Sequence, residues 1–345
     1  MDFNFKTIHE FNDYFKDEKT CYEYLESQVW QGIAVCPHCA TTKVPYKVKA
    51  RGKFQDIPSY RCSERACGLP FTVRTDSIFE GSKVELRKWF QAAYEITVAK
   101  KGISSYELAE RIGVSQKTGW FINHRLRAML KETNPELLVG MVEVDETYIG
   151  GKEKNKSKKK RAENKAAKEA ARNKEWWLAP TPDTKIPVVG ILQRNGRVRL
   201  QPMVAADKKT LLPLIAKNVS KDAVVVTDGL QAYTDLGGIQ KLHVVVNHSA
   251  DEWVKGEYST NNIEGFWSIF KRGIVGTFHS LSPRHLHRYC DEFAHRYFNR
   301  LQPIDNRFVE SIKEFRGTRL KYRTLTPNQP EPHRKLRYNK NKTAN

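Results

Sequence analysis

The sequence predicts a mixed α/β domain that follows a small cysteine-containing module and a helical region. Runs such as MVEVDETY and IPVVGIL place apolar residues in the way that β-strands do. Residues 83–131 instead carry apolar residues at helical spacing. Because the strands are followed by helical segments at about 261–272 and 283–300, we expect a sheet flanked by helices.

The composition indicates a polyanionic partner. The 345 residues include 59 Lys and Arg against 39 Asp and Glu, which gives a formal net charge of +20. Nucleic acid is the first partner that such an excess suggests, and an anionic membrane surface is the second. The N-terminal segment lacks a signal-peptide pattern, and no stretch approaches the roughly 20 apolar residues of a membrane span. We therefore expect a cytoplasmic protein that does not associate with a membrane.

Four of the six cysteines form two closely spaced pairs. The pairs are Cys36 with Cys39 and Cys62 with Cys67, separated by a β-prone stretch. In a reducing compartment this spacing indicates a metal site, because four thiolates can close tetrahedrally on one structural Zn²⁺. The pattern predicts a zinc ribbon over residues 31–75, which either contacts DNA or serves only as a scaffold.

The other residues near this pattern have simpler interpretations. His38 lies inside the first pair but is not expected to be a ligand, because four cysteines suffice. Cys21 and Cys290 are expected to be buried as small hydrophobic residues, with a reactive thiol as the alternative.

Residues 76–135 are predicted to be helical, with a helix-turn-helix near their end. Ser104 and Glu107 fit a capping box, and Gly113 fits the turn. The second helix of such a motif can enter a major groove, although paired helices with a glycine turn are also common in helical bundles. The polar side chains that we expect to face outward are those of Lys117, Asn123, His124, Arg125 and Arg127. Of these, the candidate DNA contacts are Lys117, Asn123 and Arg125.

Three carboxylates occupy positions from which they could converge. Asp145 is expected to end one strand, Asp228 to end a second, and Glu264 to lie near the start of a helix. Such a set suits two Mg²⁺ ions, which can clamp the attacking and leaving oxygens of a phosphoryl displacement. Each residue alone has an ordinary explanation as a turn or a helix-terminal charge. Their order, their strand context and Lys271, seven positions after Glu264, favour the metal site.

The sequence that carries these cysteine pairs and carboxylates resembles the DDE transposases of bacterial insertion sequences, in particular the ISXO-like group with an N-terminal zinc ribbon. The resemblance covers roughly residues 30–305 and is carried by CPHC, KKGIS, VEVDETYIGGK, TDGLQAY, VVNHS and STNNIEGFWSIFKRGIVGTFH, among other stretches. It implies an RNase H-like catalytic domain over residues 136–305. It also implies that Asp145, Asp228 and Glu264 hold two Mg²⁺ or Mn²⁺ ions, with Lys271 contacting DNA beside them.

The resemblance leaves the third metal ligand open, because members of the group are described with either Asn or Glu there. Asn261 and Glu264 lie one helical turn apart in this sequence. A carboxylate holds Mg²⁺ better than a neutral amide, so Glu264 is favoured, while Asn261 could coordinate an ion or orient a water. Arg272, next to Lys271, is a further candidate DNA contact.

The implied activity is that of a transposase. Such an enzyme binds the terminal inverted repeats of its element, hydrolyses a phosphodiester and joins the freed 3′-hydroxyl to target DNA. The resemblance implies double-stranded DNA as the partner, a homodimer or larger assembly that handles two ends, and association with the bacterial nucleoid. A noncatalytic DNA-binding regulator and a sequence-tolerant nuclease of the same fold are the alternatives.

Three further segments complete the predicted organisation. Residues 1–30 are a helical lead-in, and residues 306–345 are a basic tail. The insertion at 152–174 has 11 basic and three acidic residues and no large apolar one, so we expect it to be solvated or disordered. A role in gripping the DNA backbone is the alternative interpretation of this insertion.

Aromatic and histidine residues of the C-terminal half are expected to have mainly structural roles. We expect core positions, rather than base-stacking platforms, for Phe266, Trp267 and Phe270. Packing or phosphate contact, rather than a second metal site, is expected for His279, His285, His287 and His295.

Overall fold

The computed structural model describes residues 3–30, 32–49, 57–150, 157–171, 185–247, 252–317 and 319–326. Within these ranges, no helix is both long enough and apolar enough to cross a membrane. The first half contains α1 (Ile8–Tyr14), α2 (Glu18–Trp30), β1 (Tyr46–Lys47), β2 (Tyr60–Arg61), β3 (Pro70–Phe71), α3 (Leu86–Val98), α4 (Ser105–Ile112) and α5 (Gln116–Met129). The three short strands form an antiparallel sheet with β2 in the centre.

The second half contains the larger sheet. Its elements are β4 (Met141–Ile149), α6 (Lys158–Ala171), β5 (Ile186–Gln193), β6 (Val198–Pro202), α7 (Lys208–Asn218), β7 (Val224–Thr227), β8 (Leu242–Val245), α8 (Asn261–Gly273), α9 (Leu286–Asn299), α10 (Ile304–Ile312) and α11 (Tyr322–Leu325). A 3-10 helix spans Gln231–Gly238, and a π-helical turn follows α8 at Ile274–Phe278.

The five long strands form one mixed sheet in the order β6-β5-β4-β7-β8. Strands β4, β5 and β6 pair antiparallel, whereas β7 pairs parallel with β4 and with β8. The Asn195-Gly196 pair, a sequence typical of hairpin turns, joins β5 to β6, with a positive φ of 58° at Asn195. One face of the sheet packs on α7 and the 3-10 helix, and the other packs on α8 and α9. The predicted mixed sheet flanked by helices is confirmed.

One hydrophobic core joins the lead-in helices, the small sheet and α3 to α5. The buried face that the sequence predicts for α3 is confirmed at Leu86, Trp89, Phe90, Ala93 and Ile96. Aromatic side chains from α1 and α10 contact this face, and the Phe11 and Phe308 ring centroids are 5.1 Å apart. Helix α10 therefore crosses the predicted start of the basic tail at residue 306 and contributes to the N-terminal core.

The turn between α4 and α5 forms largely as expected. Gly113 ends α4 in the left-handed conformation, with a φ of 62° that favours glycine. Ser104 Oγ accepts a hydrogen bond from the Glu107 backbone N–H at 3.1 Å. The Glu107 carboxylate pairs with Arg111 at 2.7 Å, so only the Ser104 half of the capping box is present.

The expectation that most polar side chains of α5 face outward is wrong. Asn123, His124, Arg125 and Arg127 are each at most 3% exposed. They are buried because α3 and α9 both pack against α5. Lys117, in the first turn, remains exposed as expected.

Two of the buried polar side chains of α5 donate hydrogen bonds to backbone carbonyls. The Asn123 side chain donates to the Ile103 carbonyl at 3.4 Å. The Arg125 guanidinium donates to the Glu80 carbonyl at 2.8 Å and lies 5.1 Å from the Phe121 ring centroid. Neither Asn123 nor Arg125 is therefore available to reach a base edge in this conformation.

The basic insertion is partly helical. Helix α6 lies inside it, and most of the side chains between 157 and 166 are exposed, as expected for a solvated segment. The expectation did not include a helix there. Ala, Lys, Arg and Glu are strong helix formers, which explains why a segment without a core still forms one. The remainder of the insertion lies outside the described residues.

A buried ion pair links α5 to α9. Arg127 Nε donates to the Glu292 carboxylate at 2.5 Å, and both side chains are at most 2% exposed. The same carboxylate accepts from Arg296 Nε at 3.1 Å, and Arg296 also donates to the carbonyl of Ala99, just after α3. The Arg127 guanidinium lies 3.9 Å from the centroid of the Tyr289 ring. These contacts fix the N-terminal helices against the helix that covers the main sheet.

We predict that Arg127→Ala lowers the free energy of unfolding by about 3 kcal/mol, because one cation is removed from a buried carboxylate. Urea unfolding followed by circular dichroism measures the change. Lys19→Ala is the control, since Lys19 pairs with Glu23 and both side chains are more than half exposed. The control is expected to change the unfolding free energy by less than about 1 kcal/mol. Equal effects of the two substitutions would contradict the account.

Candidate functional site

Strand register brings Asp145 and Asp228 together. The parallel pairing of β4 with β7 ends at Val144 and Thr227. Asp145 and Asp228 are the next residues on the two neighbouring strands, so they lie side by side where this ladder ends. The expectation that Asp145 ends its strand is wrong, because β4 continues to Ile149 in antiparallel pairing with β5. Asp228 directly follows β7, as expected.

Helix α8 docks against Asp145 through Trp267. The Trp267 indole Nε1–H donates to Asp145 Oδ2 at 2.9 Å. Gly190 lies opposite Asp145 on β5. A Cβ built on Gly190 would lie 2.7 Å from the Trp267 ring and 3.0 Å from Ile263, so only glycine leaves room for this packing. The expected core position of Trp267 is confirmed at 4% exposure, and its indole also orients the carboxylate.

The start of α8 is held by a carboxylate from β4. Glu143 is fully buried and accepts from the Ile263 backbone N–H at 3.0 Å and from the Asn262 side chain at 2.8 Å. The N-cap residue, Thr260, makes no side-chain cap bond. Glu143 thus satisfies a helix N–H that would otherwise lack a partner. Arg194 donates to the same carboxylate at 2.8 Å and neutralises it.

Asn261, Glu264 and Lys271 are spaced to lie along one side of α8, which we call the stripe of α8. The contacts at the start of the helix place this stripe beside the aspartates. Glu264 lies in the first turn, half-buried, and accepts from the Thr260 hydroxyl at 2.9 Å. Asn261, Lys271 and Arg272 are exposed. Phe266 and Phe270 are buried against the sheet, as expected. Asp145, Asp228 and Glu264 are therefore the residues of the predicted set that the fold brings close to one another.

The local electrostatics reflect a concentration of negative charge. Burial raises the pKa of Asp145 to about 6; a hydrogen bond from the Glu146 N–H opposes the shift, and the nearby Asp228 and Glu264 charges add to it. Burial likewise raises the pKa of Glu146 to about 7 despite a hydrogen bond from the Tyr233 hydroxyl at 2.8 Å. Carboxylates whose charges repel one another in a partly buried site favour a cation between them.

The three carboxylates do not form a closed cage. Among the described residues, the one group of three or more His, Cys, Asp or Glu whose ligand atoms all lie within 4.8 Å of one another is the cysteine quartet. Asp145 Oδ1 and Asp228 Oδ1 accept from backbone N–H groups at 2.8 and 3.1 Å, which orient them from one side. The oxygen donors suit a hard divalent cation, and their spacing leaves the site open.

The cysteine quartet has the dimensions of a zinc site. The Cys36 and Cys67 sulfurs are 3.8 Å apart, and those of Cys39 and Cys62 are 3.5 Å apart. Tetrahedral thiolates at about 2.3 Å from Zn²⁺ are separated by about 3.8 Å, so the quartet fits the ion. His38 is not part of the group, as expected.

The surroundings shift the pKa values of the quartet in different directions. For Cys39 and Cys67, a backbone N–H donor lowers the pKa, but burial and hydrogen bonds among the cysteine sulfurs outweigh it and raise the pKa above the ordinary value. Burial opposes ionisation of Cys36, but the His38 and Cys39 N–H groups lower its pKa below the ordinary value. The Glu64 N–H points to the Cys62 sulfur at 3.4 Å. The remaining cysteines, Cys21 and Cys290, are both fully buried, and burial raises the pKa of each thiol. Their expected role as small hydrophobic residues is confirmed by this burial.

The histidines of the C-terminal half form no ligand group within the described ranges. His285 packs in the interface with α5, where its ring centroid is 4.6 Å from that of His124 and 5.7 Å from that of Trp120. Burial lowers the pKa of His285 to about 4, and the Arg288 charge adds to this effect. His285 is therefore a packing residue, whereas His279 is exposed.

Sequence analysis missed several residues that organise the site. Glu143 lies two positions before Asp145, and the alternation of a strand places both on one face, which is a signal that the sequence contains. Glu146 lies on the opposite face and contacts Tyr233. Arg194 and Gly190 carry no signal of their own, because their importance depends on α8, which begins 67 residues after Arg194.

We predict that the purified chain binds one Zn²⁺ and that Cys62→Ser abolishes stoichiometric binding, because three thiolates cannot complete the tetrahedral set. Metal analysis of the purified protein measures the ratio. Cys21→Ala is the matched control, since Cys21 is equally buried but lies outside the quartet. Retention of zinc by Cys62→Ser, or its loss from a folded Cys21→Ala protein, would contradict the assignment.

Gly190→Ala is expected to lower the free energy of unfolding by about 1–3 kcal/mol, because its Cβ displaces Trp267 from beneath Asp145. Gly237→Ala is the control, as a Cβ there meets no atom within 4 Å. Urea unfolding compares the two variants with the unmodified protein. If both variants unfold at the same midpoint, Gly190 does not control the docking of α8.

Comparison with known protein families agrees with this geometry. The family described as the ISXO2-like transposase domain matches residues 137–298. The family described as the transposase zinc-ribbon domain matches residues 16–69, a range that begins before the small sheet and includes α2. Between them, the two matches include the cysteine quartet, both aspartates and Glu264.

Two relatives point the same way. A protein of the transposable element ISH50 from Halobacterium salinarum is 28% identical over 263 residues, which cover 75% of this chain and 83% of the relative. A transposase-like protein of Haemophilus influenzae is 31% identical over 90 residues, which cover 26% of this chain and 72% of that protein. The chain therefore belongs to the ISXO2-like transposases of insertion sequences, with a transposase zinc ribbon ahead of its DDE-type domain.

Proposed function

We propose that the chain is an active DNA transposase, which binds the terminal inverted repeats of its element, cuts a phosphodiester by hydrolysis and joins the 3′-hydroxyl to target DNA. One observation carries the proposal. Asp145 and Asp228 lie side by side where two strands part, and Glu264 lies on a helix that is tied to Asp145 by Trp267. Family membership supports the chemistry that this arrangement suits.

In this proposal, Asp145, Asp228 and Glu264 hold two Mg²⁺ or Mn²⁺ ions. When bound, the ions would supply an activated water and stabilise charge on the attacking and leaving oxygens. The chain contributes by orienting the ligands, since backbone N–H groups and the Trp267 indole fix both aspartates. The three carboxylates are separated from one another in this structure. We expect the distances between them to shorten when bound ions neutralise their mutual repulsion.

Glu264 is the proposed third ligand. The negative charge of Glu264 is one of the causes that raise the pKa of Asp145. The two carboxylates are therefore close enough to interact electrostatically. Asn261 lies one turn earlier at the exposed start of α8. We propose that Asn261 orients a water or a phosphate rather than an ion, because a neutral amide is the weaker Mg²⁺ ligand.

DNA contacts are proposed along the exposed side of α8 and in the N-terminal half. Lys271 lies two turns beyond Glu264 on the same stripe, where it can meet a phosphate near the cut, and Arg272 is exposed beside it. In α5, burial restricts direct contact to the first turn, which includes Lys117. We therefore propose that the helix-turn-helix contacts DNA through that turn rather than through Asn123 or Arg125.

The architecture supports an RNase H-like catalytic domain behind the zinc ribbon. An antiparallel run of three strands is followed by two parallel strands, and the acidic residues collect where β4 and β7 separate. We retain the proposed extent of this domain, residues 136–305, and a dimer or larger assembly on DNA, because transposition requires two ends to be held together.

A strand-transfer assay tests the function. The DNA carries the element's own ends, and reactions contain Mg²⁺ or EDTA. Asp228→Asn and Glu264→Gln are each expected to lower the cutting and joining rates at least about 100-fold, because each removes a charged ligand of the ions. Asp222→Asn is the matched control, since its carboxylate is 85% exposed just before β7 and is expected to have no effect.

The other outcomes identify the alternatives. Full activity in Glu264→Gln with loss in Asn261→Ala would move the third-ligand role to Asn261. Folded, zinc-loaded protein that binds the ends but neither cuts nor joins them would be a DNA-binding regulator. Cutting of any DNA without end-specific binding or joining would identify a nuclease.

A further inference from the structure

A cavity beside α8 is lined by apolar and basic side chains, a combination that suits a nucleotide. It has a volume of about 430 Å³ and lies between the end of α3, α8, α9 and Arg307 of α10. Its apolar wall includes Phe266, Ile269 and Tyr297. The Tyr297 ring meets the Phe266 ring edge to face, with the centroids 5.3 Å apart. Ile269 is 39% exposed, so part of this wall is open to solvent.

The rim of the cavity is strongly basic. No Asp or Glu lines it, and its cations besides Arg296 are Lys100, Lys101, Arg272, Arg300 and Arg307. Arg296 already pairs with Glu292, a carboxylate that it shares with Arg127. None of the other five makes an ion pair with a carboxylate among the described residues. An apolar pocket surrounded by uncompensated cations favours a ligand with an apolar surface and negative charges.

Several rim cations are held in place by the protein. Arg300 lies over the Tyr297 ring, with its guanidinium carbon 3.8 Å from the ring centroid. Arg307 donates to the Gln302 carbonyl at 2.7 Å. A Cβ on Gly273 would lie 2.8 Å from the Lys101 carbonyl, so the end of α8 packs directly on the segment that carries Lys100 and Lys101.

The cavity is adjacent to the proposed catalytic site. Glu264 and Ile269 are separated by five positions, which corresponds to about 140° around a helix and on the order of 10–15 Å across its surface. The exposed residues between them include Gly265 and Ser268, which add little bulk. Arg272 lies between the stripe that carries Lys271 and the cavity. A DNA strand could therefore cross α8 from Glu264 to the cavity without crossing a ridge of large side chains.

We propose that this cavity binds one unstacked nucleotide of the DNA strand that is held at the catalytic carboxylates. The base lies against Ile269 and Tyr297, and the flanking phosphates contact Arg272, Arg300 and the Lys100–Lys101 pair. Aromatic walls with surrounding cations are the combination that recognises single-stranded DNA without reading its sequence. The inference rests on the proposed function, because it takes its substrate from that proposal.

Photo-cross-linking tests the pocket. Thymines near the cleaved phosphate of end DNA are replaced one at a time by 5-iododeoxyuridine, and the full-length, zinc-loaded protein is irradiated with each DNA. We expect one or two adjacent positions to cross-link to the peptide that contains Tyr297. Ile269→Glu, which places an acid in the cavity opening, is expected to lower this yield about tenfold, because stacking and phosphate attraction are both lost.

Val275→Glu is the matched control. Val275 is 70% exposed just beyond α8 and does not line the cavity, so the same substitution there should leave the cross-link unchanged. Arg300→Glu, at an exposed rim position, repeats the test if Ile269→Glu fails to fold. Absence of this cross-link from DNA-bound protein, or an equal yield in the folded Ile269→Glu or Arg300→Glu variant, would overturn the pocket.

Activity distinguishes failure of the pocket from failure of the proposed function. If the unmodified protein cuts and joins the ends but gives no cross-link to the cavity, the transposase proposal stands and the pocket is rejected. If the cross-link forms as expected but no cutting or joining occurs with Mg²⁺, the pocket stands and the catalytic proposal is rejected. Failure of the folded protein to bind end DNA rejects both.

Discussion

The half of the chain that contains the large sheet depends on the contacts of one buried carboxylate, that of Glu143. It lies on the central strand β4 and holds the first turn of α8 through the Ile263 N–H and the Asn262 side chain. Arg194 makes this burial tolerable by supplying the opposite charge, and it also donates to the carbonyls of Glu257 and Ser259 in the segment that leads into the helix. The Glu143–Arg194 ion pair thus fixes the position of α8 and the conformation of the segment that precedes it. Removal of Arg194 would leave a buried carboxylate without an opposite charge, which would strongly destabilise the fold.

Docking of α8 has consequences on two of its sides. On the sheet side, Trp267 rests on Gly190 and orients Asp145, so the third carboxylate stands beside the first two. On the other side, the same helix closes the basic cavity, and Gly273 lets it approach the end of α3. The buried Arg127–Glu292 pair then holds the N-terminal helices against α9. The N-terminal helices and the half of the chain that contains the large sheet are in this way joined by direct packing.

Much of this organisation could be predicted from sequence, where the signal is local. The cysteine spacing, the period of α3 and the stripe on α8 depend on residues within a few turns of one another, and the structure bears them out. The failures concern contacts between distant segments. Asp145 lies within its strand because β5 extends the pairing. Arg125 and Asn123 are buried because α5 packs between α3 and α9, which begins 157 residues after α5 ends. Glu143 belongs with these cases, since its partner segment begins more than 100 residues after it.

In the proposed function, docking of α8 makes Asp145, Asp228 and Glu264 one metal site. The most direct measurement is the anomalous scattering of Mn²⁺ in crystals of the protein bound to its end DNA. The account predicts two peaks about 3.5–4 Å apart, with both aspartates and Glu264 as ligands. A map with no Mn²⁺ at the aspartates, or with ions that Glu264 does not contact, would contradict it.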